Sequence, residues 1–394
     1  MKKLLLASVA ATAFAGAASA DDVKLGILIG FTGPIESLTS HMAAAAELAM
    51  AEVNASGKSA HTFTSVRGDS TCVDAAAAQA AGERMVTAEG VKGIIGADCS
   101  GVTRAVLQNV ARPNGIVMIS PSATSPALTA DEDDGLFFRT APSDAREGEI
   151  MADILMEKGV KSIALTYSNS DYGKGLAEAI ANAYTAKGGV VTINAAHDDG
   201  KADYSAEVAA LAAAGGDILV VAGYLDQGGK GIIQASLDTG AFSTFGLPGG
   251  MVGDSLPAAI GPALDGSYGQ VAQSDAPGAA ILTEMGKANA TPFEATSPYA
   301  MESYDAAALI MLAMHAAGST DPKVYKEKIM DLANAPGEPI LPGELGKALE
   351  LIAAGTDIDY QGASGVELIG PGESAGRYKE FVIQGGKYET VKFR

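Results

Sequence analysis

The chain has 394 residues, of which 47% are hydrophobic, and a formal net charge of −20 at pH 7. This length and this apolar content are sufficient for two globular domains, each with its own core. The acidic residues are scattered along the sequence, and their excess argues against nucleic acid and anionic membrane surfaces as partners.

The first twenty residues have the pattern of a cleaved secretory signal peptide. Lys2 and Lys3 give a positive start, residues 4–17 are apolar, and residues 18–20 (Ala-Ser-Ala) provide a small-x-small cleavage site. The apolar part, about 14 residues, is shorter than the ~20 residues that a membrane-spanning helix needs. We therefore predict an exported, soluble mature chain that begins at Asp21.

Cys72 and Cys99 are the two cysteines of the sequence. In an exported protein an isolated pair most often forms one disulfide, and two free thiols are the alternative. Two cysteines and four dispersed histidines do not provide the ligand spacing of a zinc site. We therefore expect neither a metal ion nor another cofactor.

Strand and helix patterns alternate from the start of the mature chain. Residues 23–31 form a continuous apolar run, which is typical of a strand buried on both faces of a parallel sheet. An alanine-rich helix is expected over 41–54. The pattern then predicts strand 62–67, helix 73–88, strand 91–97, helix 101–111, strand 116–119 and strand 136–140.

A second block begins after Pro142 and repeats the same alternation. It is predicted to contain helix 145–158, strand 161–167, helix 173–187, strand 190–195, helix 204–214, strand 217–221, helix 228–239, and strands 244–247 and 267–271. Four helices (278–290, 299–317, 322–334 and 343–354) and two β segments (379–383 and 388–393) follow. Such βαβ succession implies doubly wound layers with right-handed crossovers. We predict an α/β protein with two doubly wound parallel-sheet lobes.

Hydroxyl-rich loops follow two neighbouring strands of the first block. Residues 97–103 follow strand 91–97, and residues 120–126 follow strand 116–119. Ligands of open parallel sheets bind beyond the carboxyl ends of the strands, where hydroxyl groups and helix N-termini suit a small anion. Serine and threonine are also common as helix caps. Two such loops after adjacent strands, facing a second lobe, favour a ligand site.

A series of short motifs runs along the whole mature chain. In order, they are residues 26–34 (Gly-Ile-Leu-Ile-Gly-Phe-Thr-Gly-Pro), 96–100, 119–124, Arg139-Thr140 with Asp144, 171–175, Gly223-Tyr224 and 360–365. Together they resemble the leucine/isoleucine/valine-binding protein family of periplasmic receptors. The resemblance implies the type I periplasmic-binding fold, in which two α/β lobes joined by a three-crossing hinge close on a ligand.

The resemblance also implies a location and a division into lobes. We expect a periplasmic protein whose first lobe comprises residues 21–142 plus 273–350. The second lobe is expected to comprise residues 143–272 plus 351–394.

Ligand contacts are implied by the positions that match the family. Ser100, Ser122 (through its backbone) and Thr124 match positions that hold the α-carboxylate of an amino acid and help to hold its ammonium group. Tyr172 and Tyr224 match aromatic groups that the second lobe brings down over the ligand.

Further positions follow from the same resemblance. Asp144 falls at a lobe crossing beside the cleft, and Tyr299 matches an aromatic wall of the side-chain pocket. Cys72 and Cys99 match the disulfide pair of the family.

Position 249 departs from the family pattern. Leucine receptors usually carry an acidic residue after strand 244–247 that pairs the ligand ammonium, whereas this chain has Pro248-Gly249-Gly250. An unpaired buried cation is costly, so either another carboxylate replaces this acid or the ligand has no primary ammonium. The candidate carboxylates are those of Glu36, Asp144, Asp226 and Glu302. In addition, Leu38 stands where an aromatic residue often shapes the side-chain pocket.

The resemblance implies the solute-binding component of an ABC importer. Such a monomer captures an amino acid of the branched-chain type and delivers it to a permease in the inner membrane. Another small carboxylate or amide ligand, or a role as a sensory ligand-binding module, is the alternative. An enzyme is disfavoured because the Gly-x-Ser-x-Gly and Gly-x-Gly-x-x-Gly motifs are absent, and residues 228–231 (Gly-Gly-Lys-Gly) lack the phosphate-loop spacing.

Overall fold

The computed structural model describes residues 21–394, so the predicted signal peptide lies outside the described residues. Within this range the strands are β1 (Asp21–Ile29), β2 (His61–Asp69), β3 (Ile94–Gly96), β4 (Met118–Ser120), β5 (Phe137–Pro142), β6 (Ser162–Ser168), β7 (Val190–His197), β8 (Ile218–Ala222), β9 (Phe245–Leu247), β10 (Tyr268–Ala272), β11 (Glu338–Ile340), β12 (Ile358–Tyr360), β13 (Leu368–Ile369), β14 (Glu373–Ser374), β15 (Tyr378–Gln384) and β16 (Lys387–Phe393).

The α-helices of the same range alternate with these strands. They are α1 (Glu36–Ser56), α2 (Ala75–Glu83), α3 (Ser100–Val106), α4 (Arg112–Asn114), α5 (Ala127–Ala130), α6 (Asp144–Glu157), α7 (Asp171–Ala186), α8 (Ser205–Ala214), α9 (Gly228–Thr239), α10 (Ser255–Ile260), α11 (Pro277–Ala288), α12 (Ala300–Ala317), α13 (Pro322–Leu332) and α14 (Leu345–Ala353). Among these described residues, no helix is both long and apolar enough to cross a membrane.

The two large sheets share one topology. The first has the strand order β13-β14-β5-β4-β3-β1-β2, and the second has the order β16-β15-β10-β9-β8-β6-β7. The five strands β1–β5, and likewise β6–β10, pair in parallel in the order 2-1-3-4-5 of a doubly wound sheet. The predicted fold class, with two such lobes, is confirmed. The antiparallel pairs, β13–β14 in the first sheet and β10–β15 and β15–β16 in the second, lie toward one end of each sheet.

The chain passes between the two sheets three times. It leaves the first sheet after β5, leaves the second after β10, and joins the second again at β15. The last passage differs from the expected boundary at residues 350/351, because β13 and β14 pair on the edge of the first sheet. These strands have two residues each, too few to show any periodicity in the sequence. We propose lobes of 21–142 plus 273–374 and of 143–272 plus 375–394.

The cores of the two lobes are formed by continuous apolar segments, because a segment that is buried on all sides has no face for polar residues. All five residues of β8 are buried, which is typical of a central parallel strand covered on both faces. Helix α12 is buried from Ala300 to Met314 because α1, α13 and α14 pack around it. Its methionines are therefore core residues.

Cys72 and Cys99 form a disulfide, as predicted. The bond joins the loop after β2 to the residue that precedes α3, and both cysteines are buried. The disulfide therefore anchors a loop at the edge of the first sheet, and Ser100 projects from this loop.

We expect the double variant C72A/C99A to lose about 3 kcal/mol of unfolding free energy, because the bond closes a loop of 27 residues and restricts the unfolded chain. Urea denaturation measures this loss, and a reducing agent should lower the stability of the wild type but not of the variant. Equal stability of variant and oxidised wild type would contradict the prediction.

Candidate functional site

The predicted site residues converge at the carboxyl ends of the parallel strands. Ser100 follows β3, Ser122 and Thr124 follow β4, Asp144 follows β5, Tyr172 follows β6, Tyr224 follows β8, and Gly249 follows β9. In the 2-1-3-4-5 order, the first and third strands flank the topological switch point, where open sheets bind ligands. The two lobes thus present their switch points to one shared cleft.

A small cavity of about 20 Å³ lies in this cleft. Five of the eight predicted ligand contacts line it, namely Ser100, Ser122, Tyr172, Tyr224 and Tyr299. Gly249 precedes a lining residue, Gly250, and Thr124 and Asp144 are joined by a hydrogen bond of 2.8 Å from the Asp144 N–H to the Thr124 carbonyl. A volume of this size holds about one water molecule, so the cleft is closed in this structure.

The first lobe contributes hydroxyl groups to the cavity. Ser100 is the first residue of α3, and its Oγ accepts a hydrogen bond of 3.1 Å from the Ser125 N–H. Ser122 Oγ donates to the Asp98 carbonyl at 3.0 Å. The Thr124 hydroxyl is buried and has no hydrogen-bond partner among residues 21–394, so it remains available to a polar group of a ligand.

The buried carboxylate of Asp98 holds these loops together. It accepts hydrogen bonds of 2.6 Å from the Gly30 N–H and from Ser70 Oγ, which lie in the loops after β1 and β2. Burial raises the pKa of Asp98, and these donors act in the opposite direction. Asp98 is itself a lining residue of the cavity, and these bonds give it a positioning role there.

The second lobe contributes a stacked pair of tyrosines. The rings of Tyr172 and Tyr224 have centroids 5.0 Å apart and an interplanar angle of 27°. Tyr172 Oη accepts the N–H of Gly250 at 3.0 Å. Burial raises the pKa of both tyrosines above its usual range, so both hydroxyls are neutral and can donate to a ligand at pH 7.

Tyr299, the residue immediately before α12, forms one wall of the cavity. Its φ is +64°, in the left-handed region that side chains other than glycine rarely adopt. Its carbonyl accepts a hydrogen bond of 3.0 Å from the N–H of Ser303 in the first turn of α12. A Cβ placed on Gly249 would lie 3.0 Å from Tyr299 Oη, which shows how closely the tyrosine approaches this strand end.

Glu147, in the first turn of α6, was not predicted from the sequence. Its side chain is buried, and its Oε1 accepts hydrogen bonds from the Gly249 N–H at 2.7 Å and from Gln270 Nε2 at 3.2 Å. Burial raises the pKa of Glu147, and the two donors oppose this shift. One signal in the sequence was the spacing Asp144-x-x-Glu147, which places both carboxylates on one face of a helix that begins at a lobe crossing.

Asp144 is fully buried, and neither of its carboxylate oxygens has a hydrogen-bond partner in the described part of the chain. Burial raises the pKa of Asp144 strongly, and the negative charge of Glu147 adds to this effect. The nearby Thr124 hydroxyl and the positive charge of Arg139 act in the opposite direction. The two acids therefore form a buried pair beside the cleft.

None of the four candidate carboxylates, Asp144 included, lines the cavity. Glu36 is exposed at the start of α1. Glu302 is buried in the first turn of α12, where burial raises its pKa to about 8. Asp226 instead accepts hydrogen bonds from Ser37 and Ser255. The predicted wall residue Leu38 does line the cavity, so an aliphatic side chain occupies that position.

Hydrogen bonds at Asp226 connect the two lobes. Asp226 lies in the loop after β8, and its N–H donates to the Pro34 carbonyl of the first lobe at 3.0 Å. Its Oδ2 accepts from the N–H of Ser37 at 3.1 Å and from Ser37 Oγ at 2.7 Å. These three bonds stabilise the closed arrangement of the cleft.

Residues 22–337 match the family model described as periplasmic binding protein. The Leu/Ile/Val-binding protein homolog 1 of Brucella melitensis is 32% identical over 365 residues, which cover 87% of this chain and 95% of that protein. The chain belongs to the leucine/isoleucine/valine-binding protein family. Proteins of this family of periplasmic binding proteins bind substrates for transport and act in the periplasm, which agrees with the predicted export.

Solved structures have the same two-lobed fold as this periplasmic binding protein. A branched-chain amino acid transporter substrate-binding protein from Streptococcus pneumoniae, in complex with isoleucine, has a TM-score of 0.76 and 21% identity and covers 94% of this chain and 99% of its own. A solute-binding protein of an ABC transporter from R. palustris, in complex with 4-hydroxybenzoate, has a TM-score of 0.74 and 17% identity and covers 95% and 97%.

Proposed function

We propose that this chain is the periplasmic solute-binding component of an ABC importer and captures an amino acid of the branched-chain type. The observation that carries the proposal is the cavity at the paired switch points, where Ser100 and Ser122 of one lobe face Tyr172 and Tyr224 of the other. Relatives with about 30% identity are named Leu/Ile/Val-binding proteins, which supports the same ligand class.

The first lobe binds the carboxylate of the ligand. Ser100 lines the cavity, the buried Thr124 hydroxyl lies on the same loop as Ser122, and the Ser122 N–H makes only a long bond of 3.4 Å to Ser120 Oγ. These donors suit a carboxylate because hydrogen bonds to an ionised acceptor are about twice as strong as neutral ones. Leu38 and Ile35, which also line the cavity, provide apolar contacts for an aliphatic side chain.

Closure of the second lobe completes the site. The closed cavity holds about one water molecule, so an amino acid enters only when the lobes separate. Closure then brings Tyr172 and Tyr224 onto the ligand and excludes water, which strengthens every polar contact. The hydrogen bonds between Asp226 and Ser37 re-form, and the closed shape is the one that the permease recognises.

A thermal-shift screen tests the ligand class. Ligands that bind the native state raise its melting temperature, and we expect the largest shifts with leucine, isoleucine and valine among the twenty amino acids, their betaines and small amides. Shifts only with ligands that lack a primary ammonium would overturn the amino-acid assignment. Stimulation of a reconstituted permease and its ATPase by the loaded protein separates an importer component from a sensory module.

The tyrosine contacts give a direct prediction. We expect Y172A to weaken amino-acid binding by about 10- to 100-fold in calorimetry, because the variant loses a stacked ring and a buried hydroxyl donor. Y172F should have a smaller effect. The matched control is Y184F, whose hydroxyl donates to the Val160 carbonyl at 2.8 Å, away from the cleft. Unchanged affinity of Y172A would refute the role of Tyr172 in closure.

A further inference from the structure

We infer that Glu147 is the specificity-determining carboxylate that pairs the ammonium group of the ligand, in place of the acidic side chain missing at Gly249. This inference rests on the proposed function, since it concerns an amino-acid ligand in the same cleft. The residue that pairs the ammonium group would then follow β5, whereas position 249 follows β9.

The first argument for Glu147 as the partner of the ammonium group is its position. A Cβ built on Gly249 would lie 3.4 Å from Oε1 and 3.7 Å from Oε2 of Glu147. It would also lie 3.0 Å from the hydroxyl oxygen of Tyr299, a residue of the cavity wall. The carboxylate of Glu147 therefore fills the space into which a side chain at position 249 would project. Glycine at 249 and glutamate at 147 form one complementary arrangement.

The hydrogen bonds of Glu147 orient the group for a ligand. Both protein donors, the Gly249 N–H and Gln270 Nε2, bind the same oxygen, Oε1. Asp144, the neighbouring acid on α6, is the further side chain that interacts with the Glu147 carboxyl group. Oε1 thus fixes the side chain against the strand ends of the second lobe, and Oε2 is the oxygen that accepts from an ammonium group of the ligand.

The surrounding charges favour a cation at this place. The groups that interact electrostatically with the Glu147 carboxylate are Asp144 on α6, Tyr172 on α7, Tyr299 before α12, Tyr378 on β15 and, through Asp144, Arg139 on β5. The tyrosines are neutral because burial raises the pKa of each. Arg139 is committed to Ala123, Ser125, Thr129 and Glu373. The pair Asp144–Glu147 therefore has no cation of its own, and a ligand ammonium would supply one.

Proton linkage gives this arrangement a measurable signature. Burial raises the pKa of Glu147, so the side chain is partly protonated in the free protein as pH falls. A protonated carboxyl is a poor partner for an ammonium, whereas a bound ammonium lowers the pKa again. Affinity for an amino acid should therefore rise with pH through the raised pKa of Glu147, with release of a proton on binding.

The experiment measures binding of L-leucine and of 4-methylpentanoate, which is leucine without its ammonium, by calorimetry from pH 5.5 to 8.5. We expect E147Q to weaken leucine binding at least about 30-fold at pH 8, as for a buried charge that loses its partner. We also expect this variant to lose the pH dependence and to bind 4-methylpentanoate no more weakly than the wild type. The comparison variant E302Q removes another buried carboxyl of raised pKa and should keep both wild-type behaviours.

A rescue variant separates the assignment from an effect on folding. In E147A/G249E the carboxylate moves to position 249, and the alanine leaves the space that this side chain needs. We expect this double variant to recover most of the leucine affinity that E147A loses. Leucine binding by E147Q that equals the wild type would overturn the role of Glu147 and leave the importer proposal intact. Failure of the wild type to bind any amino acid would overturn both.

Discussion

Replacement of Arg139 by methionine is expected to lower the unfolding free energy by about 3–5 kcal/mol and to weaken ligand binding at the same time. Arg139 is 1% exposed and donates to the carbonyls of Ala123 at 3.2 Å and Ser125 at 2.9 Å. It also donates to Thr129 Oγ1 at 2.6 Å and forms an ion pair with Glu373. Methionine fills a similar volume but leaves these acceptors without a donor.

The effect on ligand binding follows from the position of the loop after β4, to which Arg139 donates its hydrogen bonds. Ala123 and Ser125 flank Thr124, so Arg139 holds the backbone of the loop that carries two predicted ligand contacts. Urea denaturation and leucine calorimetry measure the two effects. R139K keeps the charge but not the forked geometry, and should lose less stability than R139M. The matched control R146M removes a half-exposed arginine and should change neither quantity. Wild-type stability of R139M would contradict the prediction.

Replacement of Asp305 by alanine is expected to cost about 3 kcal/mol, because it leaves several buried donors unpaired. Asp305 is fully buried in α12. Its Oδ1 accepts from Tyr360 Oη and the Ala363 N–H at 2.8 Å, and its Oδ2 accepts from the Ser364 N–H at 2.8 Å and Ser364 Oγ at 2.6 Å. One carboxylate thus fastens the motif of residues 360–365 to the longest buried helix of the first lobe.

Thermal unfolding measures this loss, which corresponds to a fall of roughly 6–12 °C in melting temperature for a domain of this size. D305N keeps one acceptor oxygen and should lie between D305A and the wild type. The control is D357A, since the exposed side chain of Asp357 makes no hydrogen bond or ion pair within residues 21–394. A melting temperature for D305A equal to that of D357A would show that the network contributes nothing to stability.

The sequence predicted the main elements closely because their periodicity is local. Helix 228–239 has the predicted bounds, and the strands predicted at 217–221 and 267–271 differ from β8 and β10 by one residue. The strands β11 to β14 were missed, since they have two or three residues and, unlike the fully buried three-residue strands β3, β4 and β9, are only partly buried. The expected division of the lobes at 350/351 differed for the same reason.

The candidate site also has features that the sequence predicted and features that it did not. The strand ends, the hydroxyl-rich loops and the order of the motifs all lie in the sequence, and they predicted that Ser100, Ser122, Tyr172, Tyr224 and Tyr299 would meet. The acid missing at Gly249 was also visible there. Of the candidates named to replace it, Glu36 is exposed and Asp226 bonds across the lobes.

The sequence by itself determined the fold class, the disulfide pair and the family, and five of the eight ligand contacts that it predicted line the cavity. The fold class depends on local periodicity, the family on the order of short motifs along the chain, and the disulfide on the presence of two cysteines. Only the tertiary structure decided that Glu147 lies against Gly249, which is 102 positions away, and that Asp226 meets Ser37 across 189 positions. The first contact depends on how α6 packs on the second sheet, and the second depends on how the two sheets face each other. No local pattern of residues encodes either arrangement.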